Sequence, residues 1–121
     1  MGTSMILAKF FAAVGDELTL RIASLLATRR MAVHELADVL QISQPRISHK
    51  LAKLRKYGFV ENERDQRCVY YALAEPYAAT ILAALKQLGQ LQPDCLAQLQ
   101  EDRLKLVALS RSKPAARAAT G

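Results

Sequence analysis

The sequence has no tryptophan, and only four tyrosines and three phenylalanines among 121 residues. Tyr70 and Tyr71 are neighbours in a segment of period two, so their rings fall on opposite faces and offer no stacking platform for single strands. Cysteine is as scarce: Cys68 and Cys95 are too few for a disulfide scaffold, and a reducing cytoplasm is the expected compartment. No run of 18 apolar residues exists, so no membrane span is expected. Met5–Val14 is apolar, but Lys9 interrupts it and no basic stretch precedes it; it reads as structural, not as a leader. Glycine-rich phosphate loops, His/Cys/Asp clusters at ligand spacing and nucleophile–base pairs are all missing. An enzyme therefore lacks its parts, and neither a metal site nor a cofactor is expected. No internal repeat is found.

What is present is positive charge, concentrated. The net charge is +6; residues 1–42 are neutral, 43–67 carry +4, 68–109 carry −1 and the last twelve carry +3. The +4 segment opens with Ser43-Gln-Pro-Arg-Ile-Ser-His-Lys-Leu-Ala-Lys-Leu-Arg-Lys56. Ile47, Leu51 and Leu54 recur at helical spacing and face a core. Ser43 suits the N-cap, Pro45 the first turn, and Gly58 the left-handed residue just past the end. The opposite edge presents Gln44, Arg46, Ser48, His49, Lys50 and Lys53. Gln, Arg, Ser and His hydrogen-bond base edges, whereas Lys acts as a point charge against phosphate. A merely solvated lysine face would not require the interleaved Gln, Ser and His. The pattern predicts a helix that enters a DNA major groove.

The neighbouring segments support that placement. Met5–Val14 is apolar on several sides, which in so small a domain points to a partner subunit. Asp16 caps a second helix, Glu17–Ala27, whose carboxyl end carries Arg29 and Arg30, where cations suit the helix dipole. A short third helix, Val33–Leu40, and the connection Gln41-Ile-Ser43 complete a helix-turn-helix with the basic helix. Beyond Gly58 the period becomes two: Phe59–Glu63 and Cys68–Leu73 read as strands joined by Arg64-Asp-Gln-Arg67. This two-stranded β-hairpin is a wing, and Arg64 and Arg67 either reach phosphate or the minor groove or simply solvate the turn. A helix from Glu75 to about Leu91 aligns Ile81, Leu85 and Leu88; Pro93 breaks it and a last helix, about Asp94–Leu109, carries Leu96, Leu99, Leu106 and Val107. The expected organisation is mainly α: a winged helix-turn-helix DNA-binding and dimerisation domain over residues 1–109, then a flexible basic tail over 110–121.

This order of elements resembles the ArsR/SmtB family of bacterial transcriptional repressors over about residues 8–90. The likeness rests on Gly15-Asp-Glu-Leu-Thr-Leu-Arg-Ile22, Val33-His-Glu-Leu-Ala-Asp-Val-Leu40, Leu40-Gln-Ile-Ser-Gln-Pro-Arg-Ile-Ser-His-Lys-Leu51, Leu54-Arg-Lys-Tyr-Gly-Phe-Val60 and Arg67-Cys-Val-Tyr-Tyr71. It implies a homodimer that binds double-stranded DNA at a palindromic operator, represses a promoter and releases it to an inducer. It carries Ser43, Gln44, Pro45, Ser48 and His49, with Arg64 and Arg67 on the wing, over as DNA contacts. The chain departs from the family where metals are sensed. Ala32, Val33 and His34 stand where many members have Cys-Val-Cys, and no histidine follows His49, so neither family metal site can be assembled. Cys68 and Cys95 remain as candidate sensing thiols for soft metal, metalloid, reactive sulfur or redox change; the alternative is that each is a small apolar filler. A winged-helix module for protein–protein contact, without sequence-specific DNA binding, is the rival reading of the whole chain.

Overall fold

The computed structural model describes residues 3–112. Six helices and three strands follow in the order α1 (Thr3–Val14), α2 (Glu17–Thr28), β1 (Met31–Ala32), α3 (Val33–Leu40), α4 (Gln44–Lys56), β2 (Val60–Asp65), β3 (Cys68–Leu73), α5 (Tyr77–Leu91) and α6 (Ala97–Ser112), with a 3-10 turn, Pro93–Leu96, before α6. The last helix continues through Ser112, so the tail expected to begin at residue 110 starts helical; its remainder lies outside the described residues.

Local chemistry sets the boundaries. The Asp16 carboxylate accepts the Thr19 backbone N–H at 3.0 Å and the Thr19 hydroxyl at 2.7 Å, capping α2 as expected. At α3, Glu35 Oε1 accepts the Ala32 N–H at 3.0 Å, and Gln41 closes the helix in the left-handed region at φ 57°. Ser43 occupies the N-cap position of α4, but its hydroxyl makes no capping bond. The far end of α4 is held by Gly58 at φ 76°, whose N–H donates to Arg55 O while the Phe59 N–H donates to Leu54 O. That pair of bonds is a Schellman closure, and only glycine adopts the required φ without strain.

The wing differs from expectation in two ways. The sheet has three strands in the order β1-β3-β2, with Met31 opposite Tyr71 and Ala32 opposite Tyr70. A strand of two residues between helices carries no period-two signal, which is why the sequence shows only a two-stranded β-hairpin. The hairpin is also tighter: Arg64 pairs with Val69 and Asp65 with Cys68, leaving Gln66-Arg67 as a two-residue turn with Gln66 at φ 60°. Polar residues on an exposed strand had suggested a longer loop.

Three of the seven aromatics meet at one junction. Phe10 of α1 lies 5.1 Å from Phe59 and 4.8 Å from Tyr77 between ring centroids, and Phe59 lies 4.9 Å from Tyr77. These tilted and edge-on pairs tie α1, the start of the wing and α5 together. Around them Ile22, Leu25, Leu36, Ile47, Leu51 and Leu54 form an aliphatic core. Along α5, Ile81 is buried and Leu85 half-buried, but Leu88 is 48% exposed, so the expected inward triplet loses its last member. In α6, Leu99 and Leu106 are buried, Val107 is exposed, and Asp102 is buried between them. Gly89 matters for the return of the chain: a Cβ there would come 2.8 Å from Leu96 Cδ1, so its absence lets the 3-10 turn close onto α5. No helix among the described residues is long and apolar enough to cross a membrane.

Candidate nucleic-acid interface

Helix α4 is anchored by one face and bare on the other. Ile47, Leu51 and Leu54 are buried, while Gln44, Pro45, Arg46, Ser48, His49 and Lys53 are exposed, as is Ser43 just before them. Arg46, Lys53 and Arg55 have no acidic partner among the described residues. Unpaired guanidinium and ammonium groups on one edge of a rigid helix create a positive potential suited to a polyanion. Ser48, Ala52, Arg55 and Tyr71 line a groove of about 360 Å³ between this edge and β3.

Lys50 is placed differently from its neighbours. It is half-buried and its Nζ lies 3.2 Å from Asp16 Oδ2, so it ties α4 to the N-terminus of α2. The Asp16 carboxyl is held at about 2, below its ordinary 3.8, by the Thr19 hydroxyl, then the Thr19 N–H, with Lys50 contributing. The charge of Lys50 is thus engaged inside the protein, whereas Lys53 is free to face outward.

The wing owes its charge to a residue that the sequence alone did not single out for it. Arg30, read as a helix-dipole partner, instead reaches Asp65 at 3.1 Å and Glu63 at 3.4 Å, with its guanidinium 4.6 Å from the Tyr70 ring centroid. It thereby offsets two of the three acids of β2. Arg64 and Arg67 are exposed at the hairpin end with no acidic partner among the described residues. Burial pushes the Tyr70 hydroxyl pKa up, with a hydrogen bond to Cys68 adding to it. Arg29 is likewise diverted from the helix end, pairing with Glu35 at 2.9 Å. Both contacts arise from the turn after α2, where only the fold brings α3 and the wing alongside.

Cys68 is a half-buried free thiol on β3. Cys95 falls in the 3-10 turn, and its side chain lies outside the described residues. His34 and His49 are both exposed, on different helices. No group of three or more His, Cys, Asp or Glu suited to a metal occurs among the described residues.

Residues 16–62, which run from the cap of α2 into the wing, match the family model described as bacterial regulatory protein, arsR family. A transcriptional repressor SmtB homolog of Synechocystis is 36% identical over 75 residues, covering 62% of this chain but only 57% of that protein. The nodulation protein NolR of Rhizobium meliloti is 34% identical over 83 residues, covering 69% of this chain and 68% of NolR. Among solved structures, the homodimeric winged helix-turn-helix DNA-binding domain of a possible ArsR-family regulator from Mycobacterium bovis superposes with a TM-score of 0.62. It shares 25% identity, covering 72% of this chain and 81% of that one.

Proposed function

This chain belongs to the bacterial ArsR family of regulatory proteins, and from that premise we propose that it is a homodimeric, cytoplasmic transcriptional repressor that leaves its operator when an inducer binds. The observation that carries the reading is the exposed edge of α4, where Gln44, Arg46, Ser48, His49 and Lys53 stand clear of the core beside a wing ending in exposed Arg64 and Arg67. Gln44, Ser48 and His49 supply hydrogen bonds to base edges, and Arg46, Lys53 and the wing arginines neutralise phosphate. Ser43 and Pro45 start the helix so that Gln44, Arg46, Ser48 and His49 project from its first two turns.

Dimerisation through α1 supports a twofold arrangement. The helix buries Phe10, Ala13 and Val14 in its own subunit and leaves Met5, Ile6, Leu7 and Phe11 exposed. An apolar strip of that kind is costly to leave in water and marks an interface. Two copies paired there would set their α4 helices on half-sites one DNA turn, about 34 Å, apart or a multiple of it, in a palindromic operator.

The test is an anisotropy titration of the full chain against DNA upstream of its own gene at two salt concentrations. Specific binding that weakens steeply with salt is expected, and Lys53→Ala should reduce the salt slope by about one unit without changing base preference. Absence of specific, salt-sensitive binding would refute the repressor and favour a protein-interaction module.

A further inference from the structure

A cavity of about 370 Å³ opens where α5, the 3-10 turn and α6 meet α2, with no α4 residue in its lining. Leu82, Leu85, Leu96 and Leu99 make its apolar wall. Two cations border it from different helices, Lys86 of α5 and Arg103 of α6. Both are exposed, and neither has an acidic partner among the described residues. From α2 comes Ser24, 1% exposed, whose hydroxyl oxygen has no hydrogen-bond partner among the described residues. A buried hydroxyl is ordinarily paired, so an orphan lining a cavity is an unfilled position for a ligand atom. The nearby acid Asp102 does not compete for the cations, because Arg21 and Gln98 already occupy its oxygens.

We propose that this cavity is the inducer site and takes a small monocarboxylate with an apolar body. This rests on the repressor reading for its consequence, but not for the binding itself. The leucines desolvate the body, Lys86 and Arg103 hold the carboxylate, and the Ser24 hydroxyl donates to a ligand oxygen. A carboxylate fits because it offers two oxygens able to accept from several donors at once. Size follows from the volume: at the ~30 Å³ that a water occupies, the cavity admits about a dozen non-hydrogen atoms. Helix α2 links the cavity to the DNA face, since its cap Asp16 is ion-paired to Lys50 of α4. A ligand that favours one packing of α5 and α6 on α2 therefore biases the pose of the reading helix, by as much as its affinities for the two packings differ.

The experiment titrates the full chain with octanoate by calorimetry, without DNA, alongside octanol and acetate. Saturable uptake of one octanoate per chain is expected, with octanol and acetate each weaker by at least about tenfold. The Lys86→Gln/Arg103→Gln protein, altered only at exposed positions, should lose octanoate affinity by a similar factor, and Ser24→Ala should weaken it further. Equal affinity for octanol, or undiminished binding by the double variant, would overturn the assignment. In a second arm octanoate is added to the DNA complex and should release it from the parent but not from the double variant. Sound DNA binding with no saturable octanoate uptake sinks the cavity proposal alone. Octanoate uptake by a chain that binds no DNA upholds the cavity as a carboxylate site and sinks the repressor reading.

Discussion

Removing the guanidinium of Arg21 should destabilise the docking of α6 more than any surface charge change. The Asp102 side chain is 1% exposed and receives Arg21 Nε on Oδ2 and Arg21 Nη2 on Oδ1, both at 3.0 Å, with Gln98 Nε2 at 3.1 Å. Arg21 itself is 15% exposed, and its hydrogen bonds to Asp102 raise its pKa, so the guanidinium stays charged. Arg21→Ala would leave a buried carboxylate with one amide donor, a change that costs about 3–5 kcal/mol. Against a total of about 5–15 kcal/mol, that is a large fraction. With a urea slope of about 2 kcal/mol per molar, the unfolding midpoint should fall by about 2 M. Hydrogen exchange should show the earliest loss of protection in α6, since Asp102 sits between its buried Leu99 and Leu106. Arg21→Met with Asp102→Leu should recover most of the loss, because both charges then leave together. A loss under about 1 kcal/mol, or costs that simply add in the double variant, would refute the claim that this pair is desolvated and coupled.

Three further outcomes are expected. Asp16 is held at about 2, below its unfolded 3.8, so its contribution is complete above pH 4 and lost as pH falls through 2. The side chain is 45% exposed, which screens the effect to about 1 kcal/mol; the stability gap between parent and Asp16→Ala should close over that window in acid titrations followed by circular dichroism. Phe11, 54% exposed on α1, should become Glu without loss of the monomer fold while abolishing the dimer in sedimentation velocity. Gln44→Ala should change which base is preferred at one operator position by about 1–3 kcal/mol, read by competition among variant duplexes; an unchanged preference would place the reading face elsewhere.

The α4 helix was legible because each of its signals is local. Proline near the start, leucines and isoleucine four and three apart and a glycine after the end all act within a turn or two. The same holds for the cap at Asp16 and the alternation in Cys68–Leu73. What stayed hidden depends on partners far away in the chain. Asp102 reads as one more solvent-facing acid until Arg21 arrives from 81 residues away. Met31-Ala32 becomes a strand only because β3 offers it hydrogen bonds. Leu88 fits the inward pattern of α5, yet it is 48% exposed.

By itself, then, the sequence determined the helix-turn-helix, the wing and the polar edge beside them, since short-range periodicity and capping decide which side of a segment meets the core. Tertiary structure alone decided which charges remain available. Lys50 is drawn to Asp16, Arg30 to Glu63 and Asp65, and Arg21 to Asp102, whereas Arg46, Lys53, Arg64 and Arg67 are left outward. The physical reason is that Coulomb and hydrogen-bond partners act over a few ångströms in space, a distance that composition and spacing do not encode.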